Sequence, residues 1–437
     1  MNKKVRIGLL GLGTVGAGVA EILSTPEGRN PLVADIQLVA VGVRDVNKSR
    51  GISIQRELLK ENPESIVNDP SIDVIVEVIG GIEPARSLII KAIKSGKSVV
   101  TANKAVIARH GIEIAEEARK AGVYVLIEAA VGGGIPIIEP LKQSLGGNKI
   151  QKVSGIINGT TNYILTRMSK EGCDYEQLIK EAQRLGYAEA DPTADVEGFD
   201  SADKIAILSA LAFGGPINRE IIPIKGISSL KSRDVDYAKE LGYVVKLLAV
   251  AEKLNINIDK GPLPLSLWVQ PTLIPNDHPL AGVNGVNNAI LIEGEPIGEV
   301  MFYGPGAGAG PTASAVVADI LNIAGVRAMG EEKLNVDPLL AACSWRECHA
   351  VDPSQIIQKN YVRLKTEDEA GVIGKIGTVF GNSGVSIQSI VQFDANESDA
   401  EIVVITHEVK SGDMSRALNQ IENMPEVKKL ESKMVCA

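Results

Sequence analysis

In the stretch EADPTADVEGFDSADK, Glu189 to Lys204, an aspartate and a lysine stand one helical turn apart at Asp200 and Lys204. The apolar run IAILSALAFGG follows at once. The spacing puts both side chains on one helix face, acid before base, an arrangement that contributes only about 0.2–0.5 kcal/mol on an exposed surface. Ile205 to Phe213 is apolar nearly all round, however, which predicts a buried helix. A lysine at the edge of such a helix is costly to desolvate. It needs a partner or a lowered pKa, and lysines tuned in this way serve in proton transfer. A second cation, Lys104, sits just past the strand-like run VVTAN, where strand ends face ligands in open α/β sheets.

The elements that must carry these residues begin at the N-terminus. VRIGLLGLGTVGAGVAEIL gives a strand over Val5 to Leu10, then G-x-G-x-x-G at Gly11, Gly13 and Gly16, then a helix to Leu23. Gly11 makes the tight turn, Gly13 lets backbone approach a pyrophosphate, and Gly16 lets helix pack on strand. The helix start supplies N–H donors and a positive dipole end for phosphate. This strand–turn–helix context favours cofactor binding over a purely steric glycine turn. Arg44, with Asp45 after it and Lys48 close by, ends the second apolar run, Ile36 to Asp45. An arginine there suits a 2′-phosphate, so NADP is expected, with NAD use also open; the plainer reading is a strand cap in solvent.

Further apolar runs at 72–81, 97–108 and 124–136 alternate with helical stretches. Together these predict a Rossmann-type α/β fold, a doubly wound parallel sheet. From Ile137 the pattern changes to an α+β unit. NGTTN offers Asn158, Thr160 and Thr161 at a helix start, where capping is the commoner role. A helix then closes at Gly186, and Asp191 before Pro192 reads as turn chemistry. The segment 301–320, MFYGPGAGAGPTASAVVADI, suggests a return to cover a cofactor, with Gly306 and Gly308 as backbone contacts. The expected division is 1–136, completed by 305–350, for the dinucleotide; 137–304 for substrate and dimerisation; and 361–437 as a βαββαβ module.

The bulk composition agrees. With 45 basic against 54 acidic residues and no basic tract, a nucleic-acid partner is not expected. No uninterrupted apolar run of about 18 residues is present, so no membrane span is proposed and a cytoplasmic location is expected. Cys173, Cys343, Cys348 and Cys436 show no metal-ligand spacing, even with His349 beside Cys348, and are read as buried free thiols.

The run AQRLGYAEADPTADVEGFDSADK, Ala182 to Lys204, resembles the signature of the homoserine dehydrogenases. GLGTVG, TANKA, EAAVGGGIP and NGTTNYIL agree with that family, over essentially the whole chain. The resemblance implies reversible reduction of aspartate 4-semialdehyde to homoserine with NAD(P)H, on the route to threonine, methionine and isoleucine. It implies that Lys204 is the proton donor, Asp200 its polarising partner, and Lys104 a cation near nicotinamide and substrate with a share in proton relay. Glu189 and Asp195 would hold the substrate's ammonium end, with Thr160 beside them. Gly11, Leu12, Gly13, Thr14, Val15 and Gly16 would form the pyrophosphate loop. Glu128, Val131, Gly133 and Ile135 would form a monovalent-cation site, mostly through carbonyls, for sodium. Glu197 and Asp203 are left as solvated bystanders. Residues 361–437 resemble an ACT domain, in which Asp368 and Gly371 mark the effector loop; threonine would be the natural ligand, and dimerisation alone is the alternative. A homodimer or homotetramer is implied.

Two rivals are weaker. A thioester-forming semialdehyde dehydrogenase needs an activated cysteine, and none of the four cysteines lies in a suitable loop. A non-catalytic metabolite sensor would have no use for Lys204 opposite Asp200. A bifunctional chain with an aspartate kinase segment is not expected.

Overall fold

The computed structural model describes residues 4–240, 242–254, 263–329, 353–355, 357–394 and 399–436. It divides into two units, Met1–Trp345 and Arg346–Ala437.

The first unit opens with a parallel sheet of order β3-β2-β1-β4-β5-β6. Its strands are β1 (Val5–Leu10), β2 (Ile36–Gly42), β3 (Leu59–Lys60), β4 (Val74–Glu77), β5 (Ser98–Thr101) and β6 (Val125–Leu126). β1 and β4 are buried almost throughout, as expected for central strands with both faces covered. On one face, α1 (Thr14–Ser24) packs with α11 (Ala309–Met329), whose Ala313, Val316, Ile320 and Ile323 enter the same core as Ile7 and Val76. On the other lie α2 (Pro63–Val67), α3 (Ala85–Lys94) and α4 (Lys104–Ala121), around Ile66, Leu88, Ile89, Val106 and Ile114. β2 stops at Gly42, so Arg44 stands two residues beyond the strand rather than at its end. α11 is, by length and composition, apolar enough to cross a membrane over Ala309–Arg327, but 56% of that window is buried within the fold.

After the short α5 (Ile138–Lys142), the chain builds an antiparallel sheet of order β11-β10-β7-β8-β9. The strands are β7 (Lys149–Ile156), β8 (Tyr243–Lys253), β9 (Leu265–Pro275), β10 (Asn287–Glu295) and β11 (Gly298–Pro305). Alternate β8 residues Val245, Leu247, Ala249 and Ala251 share one core with α6 (Gly159–Glu171), α7 (Tyr175–Arg184), α8 (Thr193–Val196) and α9 (Phe199–Phe213). α10 (Ser232–Glu240) precedes β8. α9 is the buried helix its composition predicts: every residue from Asp200 to Ser209 is buried.

The second unit is a βαββαβ module of order β13-β14-β12, with β16 pairing β12 on its other side. β12 (Ile357–Glu367) leads through a helix over Val372–Asn382 to β13 (Ile387–Asp394) and β14 (Asp399–Thr406). A two-residue β15 (Val409–Lys410), a helix over Ser411–Glu422 and β16 (Val427–Cys436) complete it. Phe380, Ile376, Ile402 and Leu418 fill its core.

Candidate active site

The two residues with which the sequence reading starts meet as predicted. Lys204 Nζ donates to Asp200 Oδ2 at 2.7 Å and to the Ile157 carbonyl at 2.7 Å, with Asp200 and Lys204 only 5% and 8% exposed. Lys104, the first residue of α4, pairs with the other carboxylate oxygen, Asp200 Oδ1. One buried carboxylate is thus shared by two ammonium groups, one from each sheet's helices. Burial and the nearby Lys104 charge push Lys204 below the ordinary lysine value, against the opposing pull of Asp200. Burial also works to lower Lys104, but Asp200 outweighs it and leaves Lys104 raised. At Asp200 burial acts upward, yet the two lysines prevail and hold it well below the usual carboxylate range.

Asn158 organises the carboxylates. Its Oδ1 accepts from Thr161 N at 2.9 Å and so caps α6, as the capping reading expects. Its Nδ2 donates to Asp195 Oδ1 at 2.7 Å and to Asp200 Oδ2 at 3.0 Å, a second role that pattern alone does not reveal. Thr160 Oγ1 reaches Asp195 Oδ2 at 3.2 Å and the Tyr187 carbonyl at 2.7 Å. Burial, then the Asp200 charge, raises Asp195. Glu189 is not drawn into this cluster: it is exposed, and its carboxylate has no ion-pair partner among the described residues. Asp191 makes the expected turn, accepting from Thr193 N and Oγ1. Asp203 corrects the sequence reading. It is buried, 6% exposed, and bonded to Arg219 and Arg109.

The G-x-G-x-x-G turn fits a dinucleotide. Gly11 has φ +105°, and a Cβ there would lie 2.8 Å from the Val78 carbonyl. At Gly16 a Cβ would meet the Gly11 carbonyl at 2.1 Å. At Gly13 it would meet nothing within 4 Å, which is the open approach a pyrophosphate requires. The first intrahelical bond runs from Ala17 N to the Gly13 carbonyl, so the N–H groups of Thr14, Val15 and Gly16 are available to an anion. A cavity of about 500 Å³ opens beside this turn, lined by Gly11, Leu12, Gly13, Arg44, Lys48 and Arg50 among others. Asp45 Oδ1 accepts from Asn47 N, and the exposed Arg44 guanidinium stands two residues past β2 on the rim of this cavity, with Lys48 also exposed there.

The loop from Glu128 to Ile135 has the makings of a cation site. The Glu128 carboxylate accepts from the N–H groups of Ile137, Ile138 and Glu139 at 2.6 to 2.8 Å, which occupies the side chain. Val131, Gly133 and Ile135 are buried, and among the described residues their carbonyls accept no hydrogen bond. Buried carbonyls of this kind call for another partner. Gly133, at φ +58°, abuts Gly306, whose own Cβ position is taken by the buried Asn288 amide. Gly306 therefore serves close backbone packing, whereas Gly308 (φ +120°) is exposed ahead of α11. Asp319 on α11, which sequence reading passed over, accepts from Glu128 N at 2.8 Å, and burial pushes it up to about 8. Among the described residues no cluster of three or more His, Cys, Asp or Glu side chains could hold a metal.

In the second unit, Gly371 (φ +94°) caps the helix over Val372–Asn382, and Asp368 Oδ1 accepts from Gln392 Nε2 at 2.9 Å. Cys173 is free and half-buried. Cys343, Cys348 and His349 lie outside the described residues, as does the side chain of Cys436.

Comparison with known proteins decides the family. Residues 136–321 match the homoserine dehydrogenase family, 11–128 match "Homoserine dehydrogenase, NAD binding domain", and 360–426 match the ACT domain. A homoserine dehydrogenase of Synechocystis is 54% identical, covering 98% of this chain and 98% of its own length. The chain belongs to the homoserine dehydrogenase family. The family's Bacillus subtilis member is 40% identical, with 98% of each chain covered. A solved homoserine dehydrogenase from Thiobacillus denitrificans superposes with a TM-score of 0.71 at 39% identity, covering 99% of this chain and 98% of that one. A hyperthermophilic archaeal homoserine dehydrogenase in complex with NADPH gives 0.60 at 30% identity, covering 74% of this chain and 98% of that one. The chain is thus an NAD(P)-dependent oxidoreductase of the homoserine dehydrogenase family, with a C-terminal ACT domain.

Proposed function

We propose that the chain reversibly reduces L-aspartate 4-semialdehyde to L-homoserine with NAD(P)H, and that Lys204 is the proton donor. The observation that carries the assignment is the single buried carboxylate of Asp200 shared by Lys204 and Lys104. When bound, the nicotinamide supplies the hydride. Negative charge then grows on the aldehyde oxygen, where the Lys204 ammonium stabilises it and releases its proton. In the oxidation direction the neutral Lys204 amine takes the proton from the homoserine hydroxyl. A lysine depressed by burial but restrained by Asp200 suits both directions. Lys104 is the second cation beside the reacting oxygen. Glu189, Asp195 and Thr160 hold the amino-acid end, the unpaired Glu189 carboxylate being free for an ammonium group.

Gly11 to Gly16 hold the pyrophosphate, Gly308 adds backbone contact, and Arg44 binds a 2′-phosphate, which makes NADP the preferred cofactor. The carbonyls of Glu128, Val131, Gly133 and Ile135 hold a monovalent cation, sodium, supported by their burial and lack of other partners. The dinucleotide unit comprises 1–136, completed by 305–350, and the substrate unit 137–304. β11 is an edge strand exposing Met301 and Tyr303, at 41% and 55%, which supports a homo-oligomer built on this sheet. The ACT module reads an amino-acid effector, threonine, around Asp368 and Gly371, and the enzyme works in the cytoplasm.

Arg44→Ser tests the cofactor assignment. The KM for NADP should rise about 10- to 100-fold, the loss of one charge-assisted phosphate contact, while the KM for NAD stays put. An unchanged NADP-to-NAD ratio would return Arg44 to a strand cap in solvent.

A further inference from the structure

Asp203 lies three residues after Asp200 on α9, and its carboxylate is divided between two arginines. Arg219 Nε donates to Oδ1 at 2.6 Å, and Arg109 Nη1 donates to Oδ2 at 3.1 Å. Arg219 is itself anchored: it is 8% exposed, its Nη2 donates to the Phe199 carbonyl at 3.3 Å, and its guanidinium lies 5.7 Å from the Phe199 ring centroid. Asp203 is therefore fixed from its own side of the molecule, with Oδ2 left for Arg109. Arg109 belongs to α4, five residues beyond Lys104, and its Nη1 also reaches the Ala105 carbonyl at 3.3 Å.

Two ion pairs consequently cross from α4, on the dinucleotide sheet, to α9, on the substrate unit. Lys104–Asp200 forms the front pair, at the site, and Arg109–Asp203 the rear pair. The front pair has the more mobile partner. The Lys104 side chain is 41% exposed on a flexible stem, free to turn its ammonium into water. The rear pair joins a planar guanidinium to a buried carboxylate, which is the more rigid of the two contacts.

We propose that Asp203 and Arg109 are positioning residues for Lys104: their contact sets α4 on α9 and thereby seats Lys104 against Asp200. This rests on the reading of Lys104 as the second cation of the site, and it adds a device that ties the cofactor-binding half to the substrate-binding half.

Arg109→Gln tests it, because the change severs the cross-helix contact and leaves the buried Asp203–Arg219 pair intact. The first readout is trace acetylation of the unliganded protein with acetic anhydride, followed by peptide mass spectrometry. Lys104 should react about fivefold faster in the variant, while the exposed Lys149 reacts as before. The second is turnover with homoserine and NADP. The turnover number should fall about tenfold with the KM for NADP unchanged, and Arg109→Lys should recover most of the loss. In a Lys104→Ala background Arg109→Gln should cost less than about twofold more, since the residue it seats is gone. Asp203→Asn should repeat this pattern with Arg109 present. Unchanged Lys104 labelling, or an equal tenfold loss in both backgrounds, overturns the proposal. Lys104→Ala turning over like wild type would instead remove Lys104 from the reaction, and the labelling result would still decide the clamp.

Discussion

Lys204→Met is expected to lower turnover by about 10²- to 10⁴-fold in both directions, the range for loss of a positioned acid–base group. Methionine keeps the length and apolar stem of the side chain, so the packing of α9 survives. Asp200 retains Lys104 and the Asn158 amide and is not left unpaired. The dinucleotide turn is untouched, so NADP should bind as before, which separates a chemical defect from a folding defect. Steady-state kinetics beside cofactor titration by fluorescence will check this. Full activity in the variant would remove Lys204 from the chemistry.

Asp200→Asn is expected to be nearly as severe, for a different reason. The carboxylate is the countercharge for both lysines, and it also accepts from Asn158. An amide offers one acceptor and turns two N–H donors towards groups that are donors themselves. Without the carboxylate, burial and the Lys104 charge are opposed by Asp195 but no longer by Asp200, and the Lys204 pKa falls further. Turnover should fall about 10²- to 10³-fold, and the ionisation that governs it should move to lower pH. Breaking a buried ion pair on one side costs about 3–5 kcal/mol, although Lys204 escapes part of this by giving up its proton. Rates measured in both directions, with a urea midpoint for each protein, test the point. A pH profile whose ionisation stays where the unaltered enzyme has it would mean that Asp200 does not tune Lys204.

Much of this architecture is legible in the sequence because its signals are local. Gly11, Gly13 and Gly16 sit in consecutive turn and helix positions; a Cβ at Gly11 or Gly16 would strike backbone, while Gly13 faces open space. Asp200 and Lys204 share a helix face, so their meeting follows from helical geometry. The misreading of Asp203 has the opposite cause. Its partner Arg109 lies 94 residues away and Arg219 16 residues away, so an acidic side chain near a loop reads as solvated until the helices are packed. Asn158 is found as a cap because that bond spans three residues, whereas its amide bonds span 37 and 42. Asp319 meets Glu128 across 191 residues. Lys246 on β8 is likewise invisible to pattern: it is 2% exposed, held by Asn162, Asn284 and the Val283 carbonyl, and lowered by burial to about 8.

The central claim is that Lys204 exchanges the proton, and the pH dependence of the unaltered enzyme in both directions tests it most directly. Homoserine oxidation requires the neutral amine and semialdehyde reduction the ammonium. Because burial and Lys104 place the Lys204 ionisation below the ordinary lysine value, oxidation should rise with pH through that lowered pKa. Reduction should fall through the same ionisation. Turnover numbers that show no mirrored ionisation below the usual lysine range, or no homoserine-dependent reduction of either cofactor, would contradict the account.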